Sequence, residues 1–347
     1  MSYEIQKVLP RVTFVRDKLP LKEELKQQVE QDRKEISDIL AGRDNRKILI
    51  VGPCSAWPSE AILEYAEKLK PIADKVSDKL KIVMRAYIQK PRTTVGWVGP
   101  VNQPDPYAEP DIEKGIFYCR EMMIKILELG YAIADEAVYT HKKGYFTDLY
   151  SYLAIGARST EDQEHRIFAS MVDNPVGMKN STSGEIETGV NSIIAAQFSH
   201  VFVIDGQQIK TSGNSYAHLV LRGGGGKPNC NEKTLKAATE MLYKKQVKNP
   251  AILVDISHDN SLDLATGKKD PLLQPQVLEQ VLVDMEQNKQ LATTIKGFMC
   301  ESYLQDGGQN LNSCNKASEL EYGKSVTDGC LGFEKTEKMM LALAERL

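Results

Sequence analysis

The 347-residue sequence lacks several features that would decide its class at once. No apolar run approaches the ~18–20 residues needed to span a bilayer, so no membrane segment is expected. No charge of one sign prevails: 44 Lys and Arg stand against 47 Asp and Glu, a net charge of −3. Nothing in that balance points to nucleic acid or an anionic membrane as partner. Met1-Ser2-Tyr3-Glu4 has neither a basic region nor an apolar stretch behind it, so no signal peptide and a cytoplasmic location are expected. The six cysteines (Cys54, Cys119, Cys230, Cys300, Cys314, Cys330) form no short framework. That suits a reducing compartment, where a special cysteine serves a metal or a reaction. Internal repeats and low-complexity tracts are also missing. What remains is ordinary globular usage, 41% hydrophobic and 26% charged.

The chain divides near residue 45. Residues 1–45 form an N-terminal extension, in which Glu23 to Leu40 reads as a charged amphipathic helix. From residue 46 to 347, short β-branched runs alternate with helical patterns, as in a parallel sheet built from βα units. The candidate strands are Lys47–Val51, Lys81–Tyr87, Tyr131–Glu136, Leu153–Ala157, Pro175–Lys179, Val201–Asp205, Ile252–Ser257 and Gly297–Glu301. Helices are predicted over Pro58–Lys75, Glu113–Leu129, Gly144–Tyr152, Glu161–Val172, Gly184–Ala196, Asn231–Gln246, Gln274–Asn288 and Glu334–Arg346. Thr160 and Ser183 are the expected N-caps of the fourth and fifth. Eight such units predict an α/β fold, a (β/α)8 TIM barrel. An open dinucleotide-binding sheet is disfavoured, because the turn after the first strand reads Gly52-Pro53-Cys54-Ser55 rather than Gly-x-Gly-x-x-Gly. Thr94 to Asp111 is a long Pro-rich loop, and Gly206 to Cys230 is expected to hold a β-hairpin insertion after strand six.

In such a barrel the chemistry collects at the C-terminal ends of the strands. Those positions hold Cys54; Arg85, Lys90, Arg92 and Thr93; Asp135 and Glu136; Arg158; Lys179; Arg222; Asp255 and His258; and Glu301 with Asp328. Six basic residues would converge there although the protein is slightly acidic. Arginine forks and lysines suit phosphate and carboxylate oxygens, so anionic ligands are the expected counter-charge. The structural alternative pairs each one with an Asp or Glu. Cys54, His258, Glu301 and Asp328 combine a thiolate, an imidazole and two carboxylates, a set able to hold one divalent metal ion. Its mixed hardness does not choose among manganese, iron, cobalt and zinc. Cys330 lies two residues beyond Asp328, so its thiol is expected near Cys54.

Several segments together resemble the type I, bacterial and fungal, 3-deoxy-D-arabino-heptulosonate-7-phosphate (DAHP) synthases. They are Gly52-Pro53-Cys54-Ser55, Met84-Arg85-Ala86-Tyr87, Lys90-Pro91-Arg92-Thr93-Thr94, Gly156-Ala157-Arg158-Ser159-Thr160, Pro175-Val176-Gly177-Met178-Lys179-Asn180, Leu221-Arg222-Gly223-Gly224, Asp255-Ile256-Ser257-His258, Glu301-Ser302 and Thr327-Asp328. The resemblance implies a metal-dependent, aldol-type condensation of phosphoenolpyruvate with D-erythrose 4-phosphate and water. It implies Cys54, His258, Glu301 and Asp328 as metal ligands. Arg85, Arg158, Lys179 and Arg222 would hold phosphoenolpyruvate, with Ala157 also among the substrate-binding positions. Lys90, Arg92 and Thr93 would meet erythrose 4-phosphate. Lys90 would donate a proton to the new hydroxyl, and a metal-bound hydroxide, Glu136, or His258 acting with the metal would activate water. A homodimer or homotetramer is expected, with residues 1–45 as a contact or regulatory arm.

An aromatic amino acid effector is a further expectation from the resemblance. The stretch Ala137 to Gly144 and the pair Asp173-Asn174 depart from the pattern where regulated members bind one. Two other functions remain open at this stage. One is a phosphoenolpyruvate-dependent synthase acting on a different aldose phosphate. The other is a non-catalytic phosphoenolpyruvate-binding homologue, which would be expected to have lost a ligand or an acceptor residue.

Overall fold

A computed structural model describes residues 2–139, 144–204 and 206–347. Eight parallel strands close into a barrel: β1 (Lys47–Gly52), β2 (Leu80–Arg85), β3 (Ala132–Glu136), β4 (Tyr152–Ile155), β5 (Val176–Lys179), β8 (Ala217–Leu221), β9 (Ile252–Asp255) and β12 (Ile295–Glu301). Two small antiparallel hairpins lie outside it, β6–β7 (Val201–Ile204 with Gln207–Lys210) and β10–β11 (Leu262–Asp263 with Lys268–Lys269). The helices are α1 (Val12–Lys18), α2 (Glu23–Leu40), α3 (Ser59–Lys75), α4 (Ile112–Glu128), α5 (Gln163–Met171), α6 (Ile186–Gln197), α7 (Glu232–Lys244), α8 (Gln274–Gln287), α9 (Lys289–Thr294) and α10 (Phe333–Arg346). Among the described residues no helix is long and apolar enough to cross a membrane.

The strand side chains explain the closure. Alternate residues point to opposite faces. Ile48 and Ile50 of β1 pack inside the barrel with Val83, Ala134, Tyr152, Val220 and Met299. Leu49 and Val51 pack outward with helix residues such as Tyr65 and Leu69 of α3. Both faces of each barrel strand are covered, so the strands read as near-continuous apolar runs.

The N-terminal extension closes the other end. Ile36, Ile39 and Leu40 of α2, all fully or almost fully buried, join the barrel's interior cluster. They plug the N-terminal mouth and leave the C-terminal mouth open for chemistry. Ile36→Ala should therefore cost about 2–5 kcal/mol of stability, the range for truncating a well-packed aliphatic side chain. Denaturant unfolding would measure it, and an unchanged midpoint would contradict the plug.

Four expectations need correction. Val201–Asp205 is not the sixth barrel strand: Val201–Ile204 forms a hairpin with β7, and Asp205 lies outside the described residues. The sixth barrel strand is β8, so the hairpin precedes that strand and does not follow it. Val201 and Val203 are 60% and 68% exposed, whereas every residue of β8 is buried. The sequence of β8 is disguised by His218, which sits inside the barrel between the Tyr152 hydroxyl at 3.0 Å and the Tyr216 carbonyl at 2.9 Å. Burial pushes its pKa down to about 4, so it is an internal neutral partner.

Gly144–Tyr152 forms turns and the start of β4, not a helix. Its carbonyls are satisfied by the extension: Arg16 donates to Gly144 O at 2.6 Å, and Arg33 to Thr147 O and Tyr150 O. The N-caps also differ. Asp162, not Thr160, accepts from the first turn of α5, and Glu185 precedes α6 with no side-chain cap.

Candidate active site

The open C-terminal mouth forms a cleft of about 580 Å³. Of the positions expected from the sequence, Cys54, Lys90, Arg92, Thr93, Glu136, Ala157, Arg158, Lys179, Arg222, His258 and Asp328 line it. Arg85 and Glu301 lie beneath them, with the Glu301 side chain only 1% exposed. The barrel thus gathers residues as far apart in the chain as Cys54 and Asp328, because each lies at or beyond the same end of a strand.

At the floor, the Cys54 thiol and one carboxylate oxygen each from Glu301 and Asp328 lie within 4.8 Å of one another. His258 does not join that group at the same distance, but its Nε2 is 3.5 Å from Glu301 Oε1. Its Nδ1 faces Asp255 Oδ2 at 2.9 Å and the Ser257 hydroxyl at 2.8 Å. A carboxylate behind one ring nitrogen leaves the other free to face a ligand, as in many metal-binding histidines. The backbone at His258 is left-handed, φ 56°, a conformation costing an L-residue ~1–2 kcal/mol. That strain is consistent with a side chain aimed for a purpose.

The electrostatics of the floor favour a cation. Burial pushes the Cys54 thiol pKa up, and Glu301 and Asp328 add to the rise while Lys90 and Arg85 oppose it. Burial also works against the charge on Glu301 and Asp328, yet nearby basic groups, His258 first, hold both carboxyl pKa values down. A thiol, two ionised carboxylates and an imidazole nitrogen therefore share one small space. This donor set fits a divalent metal.

Above the floor the cations differ in how free they are. Arg85 is fully committed within the protein: it donates to Glu301 Oε1 at 2.8 Å and Pro53 O at 2.9 Å, and stacks on Tyr87. Here the structural alternative holds, and a direct substrate contact for Arg85 rests on the resemblance alone. Lys179 meets buried Asp255 at 3.3 Å, and Arg222 lies 3.7 Å from Asp259. Lys90 donates to Cys54 O at 2.7 Å and to its thiol at 3.2 Å. Burial works most strongly to lower the Lys90 pKa, but Cys54, Glu136 and Glu301 together outweigh it and the net shift is upward. Arg92 and Arg158 are exposed and have no carboxylate at ion-pair distance among the described residues. Arg158 clasps the neighbouring loop, donating to Thr93 Oγ1 at 2.7 Å. Glu136 presses on Gly156, where an added Cβ would lie 2.0 Å from its Oε1. A larger residue just after β4 would have to push that carboxylate aside.

The structure adds residues that the sequence reading left unassigned. Asp255 bridges Lys179 and His258, and its position in Asp255-Ile256-Ser257-His258 was a usable signal. Lys269 lines the cleft 3.4 Å from Asp328 Oδ2 and carried no signal, since the small β10–β11 hairpin delivers it. Cys330 does meet Cys54: the Cys54 backbone N–H donates to its sulfur at 3.4 Å.

Residues 22–341 match the DAHP synthetase I family. The chain belongs to that family. The match leaves only the two ends of the chain outside it. A Tyr-sensitive phospho-2-dehydro-3-deoxyheptonate aldolase from Escherichia coli is 39% identical over 333 residues, spanning 94% of this chain and 90% of the relative. A phospho-2-dehydro-3-deoxyheptonate aldolase from Corynebacterium glutamicum is 37% identical over 345 residues, spanning 97% and 91%. The solved structure of the corresponding aldolase from Francisella tularensis superposes with a TM-score of 0.91 at 34% identity. That match covers 99% of this chain and 98% of the other. DAHP synthases use a divalent metal, and among the described residues the Cys54, Glu301 and Asp328 cluster could hold one.

Proposed function

We infer that this chain condenses phosphoenolpyruvate with D-erythrose 4-phosphate and water to give DAHP and inorganic phosphate. This is the first step of the shikimate pathway to the aromatic amino acids. The observation that carries it is one cleft, in a family-typical barrel, that sets a metal-fitting floor beside separate groups of anion-binding cations. Two phosphate groups of about −2 each and one carboxylate match such a lining.

Lys179, Arg222 and Arg158 are proposed to hold phosphoenolpyruvate, with Ala157 at its side and Arg85 supplying fixed positive charge from below. Arg92 and Thr93, on the exposed loop after β2, are proposed to take the phosphate of erythrose 4-phosphate. Cys54, His258, Glu301 and Asp328 would hold the metal ion, which supplies Lewis-acid polarisation of a substrate oxygen when bound. C3 of phosphoenolpyruvate then bonds to the aldehyde carbon, and Lys90 Nζ gives a proton to the new hydroxyl oxygen. Water adds at C2, losing one proton to Glu136; the new C2 hydroxyl then gives its proton to the phosphate oxygen as C2=O forms and the C2–O bond to phosphate breaks. Lys179 and Arg222 stabilise the departing phosphate. Holding both reactants on one rigid rim supplies much of the rate through positioning.

The same reading makes an aromatic amino acid a proposed effector, supported by Tyr-sensitive and Trp-sensitive relatives from Escherichia coli. The departing stretch Ala137 to Gly144 includes Thr140–Lys143, which lie outside the described residues. A homodimer or homotetramer is proposed, with residues 1–45 as the contact or regulatory arm. Tyr3, Ile5 and Val8, each more than 70% exposed, support a covering partner. A cytoplasmic location fits the phosphorylated substrates.

The test is release of inorganic phosphate from phosphoenolpyruvate in the presence of a panel of aldose phosphates. Erythrose 4-phosphate should be the preferred acceptor, and exhaustive chelation should stop turnover until a divalent metal is restored. No turnover with erythrose 4-phosphate would overturn the reading. Full turnover after chelation would overturn its metal component.

A further inference from the structure

Arg222 leaves the end of β8 and enters a run of four glycines, Gly223–Gly226. Glycine has the most conformational freedom to lose, so such a run is a poor platform for a binding residue. Three of the four adopt positive φ: 70° at Gly223, 60° at Gly225 and 70° at Gly226. Arg222 is nevertheless held in place, only 9% exposed.

Three buried asparagines account for this. Asn180, Asn229 and Asn260 are 0%, 6% and 3% exposed. The Arg222 backbone N–H donates to Asn180 Oδ1 at 2.9 Å, and Asn180 Nδ2 donates to Gly223 O at 2.8 Å. The Gly223 N–H donates to Asn229 Oδ1 at 2.7 Å. Asn229 Nδ2 donates back to Asn180 Oδ1 at 3.1 Å, and the Asn229 backbone N–H donates to Asn260 Oδ1 at 2.8 Å. Asn260 Nδ2 closes the set on Leu221 O at 3.1 Å and Asp255 O at 2.8 Å. The peptide groups on both sides of Arg222 are thus held mainly by side chains, with one backbone bond from the Asp259 N–H to the Arg222 carbonyl at 3.2 Å.

We propose that Asn180, Asn229 and Asn260 are a positioning triad that sets Arg222 and Lys179 for the phosphate group of phosphoenolpyruvate. Asn180 follows Lys179 directly, and Asn260 lies two residues beyond His258. The triad therefore ties together the ends of the three strands β5, β8 and β9. An amide suits the task because it donates and accepts from one rigid plane without charge. A carboxylate in its place would put negative charge beneath a phosphate. A fully satisfied buried network of this kind is rigid, and small errors of placement are costly in a site that works by positioning.

The proposal rests on the reading that the cleft takes phosphoenolpyruvate, so the experiment includes an arm that needs no turnover. Asn180→Ala and Asn229→Ala are compared with the wild type in steady-state kinetics and in calorimetric binding of inorganic phosphate. Each variant should raise the KM for phosphoenolpyruvate at least tenfold and weaken phosphate binding by a similar factor. The KM for erythrose 4-phosphate should change less than twofold. A network that merely supports the fold would lower the melting temperature and the active fraction and leave both KM values unchanged. That result would overturn the proposal, as would equal shifts in both KM values or a wild type that binds no phosphate. If the wild type lacks turnover, the functional reading fails and the phosphate arm alone decides about the triad. If Asn180→Ala does not fold, as judged by circular dichroism, Asn229→Ala carries both arms.

Discussion

Cys54→Ala should lose activity by at least about 10²–10³-fold and lose its bound metal in parallel. A metal's Lewis-acid contribution amounts to several kcal/mol, and each 1.36 kcal/mol is tenfold in rate. The thiol is one of three groups within 4.8 Å of one another, and no other cysteine sulfur belongs to that cluster among the described residues. Cys330 is close, yet its sulfur faces the Cys54 backbone N–H, so it is not set to substitute. The measurement pairs metal analysis of the dialysed protein with phosphate release. A variant retaining both full metal content and full rate would remove Cys54 from the site. A thermal unfolding control separates this from misfolding, since removing one buried sulfur leaves the barrel strands untouched.

Lys90→Met should lower kcat by roughly 10²–10⁴-fold, the range for removing a positioned proton donor. Lys90→Arg should not restore it. Arginine keeps the positive charge but holds its proton too tightly to deliver it. Lys90 Nζ sits 2.7 Å from Cys54 O and 3.2 Å from its thiol, which fixes it between the metal-fitting floor and the acceptor loop. If Lys90→Arg recovers most of the activity, the residue contributes charge alone and the proton comes from elsewhere. The comparison of methionine with arginine therefore tests the role of Lys90 as well as its importance.

Much of the site was legible because a parallel barrel leaves a regular trace. Strand ends recur at βα spacing, and reading the residues at and just beyond each end collects Cys54, Arg85, Lys179, Arg222, His258 and Glu301 without any contact information. Even the misassigned sixth strand did no harm there: Arg222 follows the true β8 as it would have followed a hairpin. The errors have local causes. Val201–Ile204 has the β-branched composition of a buried strand yet lies half exposed in a hairpin. Ala217–Leu221 carries a histidine whose polarity is met by Tyr152 and Tyr216 inside the barrel. The segment from Gly144 has a helical pattern, but its carbonyls are taken by Arg16 and Arg33, more than a hundred residues earlier in the chain.

The order of residues alone determined the barrel, its catalytic end and the chemical types gathered there, because those depend on short-range pattern and on which residue follows each strand. The tertiary structure decided how those types divide their work. It turned Arg85 inward onto Glu301, put Asp255 between Lys179 and His258, and left Arg92 and Arg158 at the rim without a carboxylate at ion-pair distance among the described residues. It also used α2 to plug the far mouth and three asparagines to steady a glycine run. None of these pairings has a sequence period, since each joins residues brought together only when the barrel closes. Distance and burial, which set whether a charge is free or already neutralised, exist only in the closed fold.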